Sequence, residues 1–124
     1  MHVGDFVTLE ALAELEAYGP LAGVYGNVDE PAVRAAVPER RVVEAEGVRI
    51  GFVHEGGAAA GRHERLLGCF PNCDIVAYGH THMPEVARVG RAWIVNAGSP
   101  TERRRAPRHT MAVITDGKPV LVEL

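Results

Sequence analysis

At 124 residues, 47% of them hydrophobic and few aromatic, the chain has the size and make-up of one ordinary globular domain. A formal net charge of -3 gives no basis for a nucleic-acid or membrane surface, and its apolar runs are too short for a bilayer span or a signal peptide. Its two cysteines, Cys69 and Cys73, are too few to make a structural zinc site without further ligands; both are expected to be buried as small hydrophobes, and the cytoplasm is the expected location.

In chain order, His2-Val3-Gly4-Asp5 has the pattern of a strand's last turn. Thr8 is placed to cap a helix whose Leu9, Leu12, Ala13 and Leu15 share one face, with Gly19-Pro20 as its stop. Leu21 to Tyr25 is a short apolar run that ends in Gly26-Asn27-Val28-Asp29. Pro31 suits the first turn of a brief helix over 31–37. Strands follow over 40–46 and 48–53, with Glu46-Gly47 as the hairpin turn. Gly56-Gly57 opens a loop, 61–67 is expected to be helical, and Asp74 to Tyr78 is a strand. Segments 85–89 and 92–95 pair across Gly90. The last hairpin runs over 109–115 and 120–123, with Asp116-Gly117 as its turn. Alternating helix and strand in front and hairpins behind predict one domain, a layered α/β sandwich with mixed sheets.

Chemistry concentrates where these apolar runs stop. Gly79-His80-Thr81-His82 follows the strand over 74–78, and its glycine lets the backbone turn where the strand ends. Gly4-Asp5, Gly26-Asn27 and His54-Glu55-Gly56 likewise end hydrophobic runs. Asp5, Asn27, His54, His80 and His82 are therefore candidate oxygen and nitrogen ligands at strand ends, where α/β sheets gather functional loops. An amide carbonyl and neutral imidazoles suit manganese, iron, zinc or nickel better than calcium. Two such ions sharing a carboxylate would bind phosphoryl oxygens, generate a hydroxide nucleophile and stabilise the leaving oxygen.

Each fragment alone has a plainer explanation. A lone His54 would be a hydrogen-bonded structural residue, Asn27-Val28-Asp29 a turn, and Gly4-Asp5 nothing in particular. Their order and shared position after strands argue against coincidence. Asp29 is expected to orient its loop rather than to ligate. His2, His63 and His109 are expected at the surface or in packing, with His109 kept in view because it starts a strand. Arg103, Arg104, Arg105 and Arg108 form a basic cluster, most simply a solvated loop; the sharper alternative is an anion-holding loop near the site.

In this order the motifs resemble those of the calcineurin-like metallophosphoesterase superfamily, in particular its small bacterial and archaeal phosphodiesterase branch. The carrying residues are His2-Val3-Gly4-Asp5, Tyr25-Gly26-Asn27-Val28-Asp29, Val53-His54-Glu55-Gly56 and Gly79-His80-Thr81-His82. Asn96-Ala97-Gly98-Ser99-Pro100 is similar to the branch's Asn-Pro-Gly-Ser loop. The resemblance implies an α/β/β/α sandwich in which Asp5 bridges two metals, Asn27, His54 and His80 complete one shell, and His82 serves the other. It implies hydrolysis of a small phosphodiester by a metal-activated hydroxide, with Asp5, Asn27 and His54 as catalytic residues. Manganese is the leading cofactor, and nickel, iron or zinc are alternatives. Val28 stands where many members carry a histidine near the leaving group, so any general acid would be water or another group.

The family's Asp-x-His pair has no counterpart before Asp5. Its first strand and helix are expected to be missing from this chain, whether Met1 is an internal start or the protein a truncation. One metal would keep Asp5, Asn27, His54 and His80; the other would keep Asp5 and His82, so one occupied site or none is expected and activity should be impaired. Apolar surface left by the missing strand would favour a homo-oligomer. Two other readings stand beside this one. The first is a non-catalytic remnant that oligomerises or binds a partner, as scaffolding relatives of the superfamily do. The second is a mononuclear zinc hydrolase.

Overall fold

The computed structural model describes residues 1–4, 8–17, 19, 21–99, 104 and 106–124. Asp5, Pro20, Pro100, Arg103 and Arg105, on which some of the expectations above fall, lie outside these residues. Among the described residues, three helices, α1 (Leu9–Glu16), α2 (Pro31–Ala36) and α3 (Arg62–Cys69), accompany seven strands. The strands are β1 (Arg40–Ala45), β2 (Val48–Val53), β3 (Ile75–Tyr78), β4 (Glu85–Val89), β5 (Ala92–Asn96), β6 (Thr110–Thr115) and β7 (Lys118–Glu123).

β1 to β5 form one sheet in the order β1-β2-β3-β5-β4, and β6-β7 form a separate ribbon. The three central strands run parallel and the two edges antiparallel, which makes the sheet mixed as expected. Central strands are near-continuously apolar because both faces are covered. The edge strand β1 is mostly exposed and carries Arg40, Arg41 and Glu44, charges that discourage edge-to-edge pairing. Glu46 and Gly47 (φ 52° and 79°) close the first hairpin, and Asp116 and Gly117 (φ 52° and 73°) close the last. Two consecutive residues of positive φ match the right-handed strand twist, and for this reason these dipeptides were legible.

Strand alternation divides the core. Val53, Val76, Tyr78 and Ile94 face α3 and pack with Leu66 and Phe70. Ile50, Phe52, Ile75 and Val95 face the other way, toward Val3, Val24, Ala112 and Ile114 of the second β layer. Gly51 is the seat of the Phe70 ring: a β-carbon there would stand 2.5 Å from its Cδ1. Leu12 of α1 and Val33 of α2 make a small cluster of their own.

Thr8 caps α1 as expected, its Oγ1 accepting from Ala11 N–H at 3.2 Å. The apolar run 21–25 makes one isolated parallel bridge, Gly23 with His2, and among the described residues joins no strand ladder. Cys69 is a correction. It is exposed on the last turn of α3, since Leu66 and Phe70 take the inward positions of that helix end. Cys73 is half-buried, and burial pushes its thiol pKa up. Both thiols are free. No helix among the described residues is long and apolar enough to cross a membrane.

Candidate metal centre

The register brings the carboxyl ends of the parallel strands level. Val53 pairs with Tyr78 and Tyr78 with Asn96, so the residues that follow emerge side by side. Gly79 N–H donates to His54 O at 2.7 Å and extends the ladder one step beyond the strands. Gly79 also leaves room for the entering chain, because a β-carbon on it would meet Val3 Cγ2 at 2.8 Å. The second layer delivers Gly4 and Gly26-Asn27 to the same edge through the His2–Gly23 bridge.

Three expected ligands converge there. His54, 5% exposed, sets Nε2 2.9 Å from Asn27 Oδ1, and His80 sets Nδ1 3.0 Å from the same oxygen. The two imidazoles meet edge to face with centroids 5.3 Å apart. His54 Nδ1 lies 2.6 Å from the Val3 carbonyl, which only accepts, so Nδ1 carries a proton and, in the neutral ring, Nε2 presents a lone pair. That lone pair faces an amide oxygen, which also accepts. A cation among the three atoms resolves this opposition, as does an amide turned to present its NH2.

The spacing fits an ion. Donors about 2.1 Å from a metal and 90° apart stand about 3.0 Å from each other. Two imidazole nitrogens and one amide oxygen form a set suited to divalent transition metals. The Val3 carbonyl supplies the outer hydrogen bond that metal-bound histidines usually have. His54, Asn27 and His80 therefore fit the expected group. Asp5, the expected bridge, lies outside the described residues. His82 is half-buried two residues beyond His80, and among the described residues no three His, Cys, Asp or Glu side chains converge as a ready-made metal group.

The loops are held from several directions. Asp29 is buried and accepts from Gly26 N–H at 2.6 Å, which makes it the loop-orienting residue it was expected to be. His80 and His82 both adopt positive φ, 67° and 59°, a conformation uncommon outside glycine that needs external support. Asn96, fully buried at the end of β5, provides part of it. Its Nδ2 donates to Thr81 Oγ1 at 3.1 Å and more weakly to Gly79 O at 3.4 Å, while its Oδ1 accepts from Gly98 N–H at 2.9 Å. Arg104 Nη1 donates to His80 O at 2.8 Å, and Arg34 Nη2 donates to Asn27 O at 3.1 Å. The roles of Asn96 and Arg34 were missed in the sequence. Asn96 had a signal, a polar amide ending an apolar strand; Arg34 had none.

The remaining histidines stand elsewhere. His63 pairs with Glu85 at 3.1 Å. His109 precedes β6, its Nδ1 enclosed without a partner among the described residues. His2 Nδ1 accepts from Gly4 N–H at 3.2 Å. Of the two described members of the basic cluster, Arg108 pairs with Glu123 of the ribbon and Arg104 reaches His80.

The profile of the calcineurin-like phosphoesterase superfamily domain matches residues 1–117. The chain belongs to that superfamily. Divalent-metal use is general in it, and membership supports a phosphoesterase function. A protein of Methanothermobacter thermautotrophicus described as a probable metallophosphoesterase is 31% identical over 126 residues, covering 100% of this chain and 73% of that protein. Two solved structures under 25% identity share the fold. A novel archaeal phosphodiesterase superposes with a TM-score of 0.76 at 19% identity over 99% of this chain and 82% of its own. Zinc-complexed Vps29 of Entamoeba histolytica gives 0.72 at 21% over 100% and 81%.

Proposed function

We propose that the chain is a metal-dependent phosphodiesterase whose centre is built on Asp5, Asn27, His54, His80 and His82. The observation that carries this is the convergence of His54 Nε2 and His80 Nδ1 on Asn27 Oδ1 at 2.9 and 3.0 Å. A bound divalent ion, manganese first, would supply Lewis acidity at a phosphoryl oxygen and the means of making hydroxide at neutral pH. Val3 O lies 2.6 Å from His54 Nδ1 and suits the tautomer with its proton there, which turns the Nε2 lone pair toward Asn27. Asn27 presents Oδ1 from a turn held by Asp29, and Asp5 would add a carboxylate ligand to the centre. The new P–O bond forms from water and the ester P–O bond breaks. Exposed Val28 offers no proton, so the departing oxygen takes its proton from solvent. A small phosphodiester is the substrate class. Two free thiols, one of them exposed, suit a reducing cytoplasm.

The test is metal content by elemental analysis together with bis(p-nitrophenyl) phosphate hydrolysis in added manganese. Bound metal with turnover that chelation removes is the expected result. No metal and no turnover with manganese, nickel, iron or zinc would overturn the reading.

One observation favours a second reading, association with another copy of the chain. Met111 pairs with Val122 and Val113 with Val120 across the ribbon, and all four are exposed. Light scattering across a concentration series decides it: a constant monomer mass removes this reading.

A further inference from the structure

We propose that Arg34 and Arg104 form an anion-binding pair that holds the phosphoryl group of the substrate; this deepens, and rests on, the reading of His54, Asn27 and His80 as a phosphoesterase centre. Each arginine is tied to one of the two loops that meet there. Arg34 donates through Nη2 to Asn27 O and through Nε to Asp29 O, both at 3.1 Å, and its guanidinium lies over the Tyr25 ring at 5.2 Å. Arg104 donates through Nη1 to His80 O at 2.8 Å.

Among the described residues neither guanidinium pairs with a carboxylate, a condition shared with Arg62, Arg65 and Arg88; what sets Arg34 and Arg104 apart is that they are tied to the loops that carry Asn27 and His80. Acidic side chains outnumber basic ones, 16 to 13, so carboxylates are not scarce. Two guanidinium groups near a bound divalent cation would repel it and each other. An anion lying among them removes that repulsion, and a phosphoryl group offers the acceptor oxygens that a planar guanidinium fork matches. Anchoring one edge of each fork to a carbonyl fixes its position before substrate arrives, which lowers the ordering cost of binding.

The experiment compares Arg34→Gln, Arg104→Gln and Arg104→Lys with the wild type and with Arg108→Gln, a control on the ribbon. Readouts are manganese affinity, kinetics with bis(p-nitrophenyl) phosphate, and orthophosphate binding by calorimetry. Each Gln variant should raise KM and the orthophosphate Kd roughly tenfold, with manganese affinity and kcat near wild type. Arg104→Lys should recover part of the loss, and Arg108→Gln should match wild type. Unchanged KM and orthophosphate Kd in both Gln variants would overturn the pair. So would loss of manganese binding in Arg104→Gln with orthophosphate affinity intact, since Arg104 would then be only a brace for His80. If the wild type binds no metal and hydrolyses nothing, the phosphoesterase reading fails separately. Metal-free orthophosphate titration then still decides the pair, with weaker binding in the Gln variants supporting it and equal binding refuting it. Should a Gln variant not fold, Arg34→Lys and Arg104→Lys give the comparison through smaller shifts in the same direction.

Discussion

His54 Nε2 stands 2.9 Å from Asn27 Oδ1 while Val3 O lies 2.6 Å from Nδ1, so a neutral ring with its proton on Nδ1 turns a lone pair to the Asn27 amide. With the amide oxygen toward the ring, a cation between the two atoms would be held by both. Manganese at about 100 times its Kd should stabilise the fold by about 2.7 kcal/mol, a melting shift of roughly 10 °C for a chain of this size. His54→Ala and Asn27→Ala should each abolish most of that shift while the protein still melts cooperatively. Differential scanning calorimetry with and without the ion reads it. A full shift retained in His54→Ala would place the ion elsewhere.

Gly4 has no room for a side chain. A β-carbon there would stand 2.7 Å from Gly26 N and 2.8 Å from His54 Nδ1, at a backbone φ of 104°. Gly4→Ala should cost about 2–4 kcal/mol and push His54 off the Asn27 loop. Gly68, in α3 with nothing near its missing β-carbon, is the control. Gly68→Ala should be stabilising, by about 0.5–1 kcal/mol. Urea denaturation of both variants checks the contrast; a Gly4→Ala protein as stable as wild type would mean that Gly26 and His54 move to admit the side chain.

What the sequence disclosed was whatever local chemistry dictates. Glu46-Gly47 and Asp116-Gly117 announced their hairpins because a two-residue turn demands positive φ. Ligand types after apolar runs announced Asn27, His54 and His80, because strand ends in one sheet gather at one edge. The run 21–25 did not disclose that it forms a single bridge, since a ladder depends on a partner chosen by tertiary packing. Cys69 was misplaced because a short helix gives no sharp inward face. Asn96 and Arg104 act on residues 15 and 24 positions away, contacts that no local pattern encodes.

Asn96 joins the His80 loop to the Gly98 loop through a buried amide that both donates and accepts. Asn96→Ala strands the Gly98 N–H and removes a donor to Thr81, at a cost of about 2–3 kcal/mol. Asn96→Asp keeps the shape but replaces that donor with a charge, so it should be at least as harmful. Thr81→Val, which removes one partner and leaves Asn96 its bond to Gly98, should cost about 1 kcal/mol. Denaturant midpoints rank the three, and an Asn96→Asp variant of wild-type stability would refute the assigned amide orientation.

Tyr78 carries a pH dependence on the α3 side of the same sheet. Its hydroxyl donates to Glu85 Oε1 at 2.9 Å, beneath an Arg62 guanidinium 5.3 Å from the ring. Burial first, and then the bond to Glu85, raise its pKa above the usual 10.0, with Arg62 opposing. The folded state therefore keeps the phenol proton where the unfolded chain has begun to release it. The linked stability is complete below pH 10 and is lost as pH climbs from there through the folded pKa, because the unfolded state binds fewer protons in that window. Tyr78→Phe should remove this part of the alkaline decline while losing the bond to Glu85 at every lower pH. Urea titrations at half-unit steps from pH 8 to 11 test it. The wild-type advantage over Tyr78→Phe should shrink above pH 10, and an advantage that stays constant or grows there would show that the phenol ionises no later in the folded protein than in the unfolded chain.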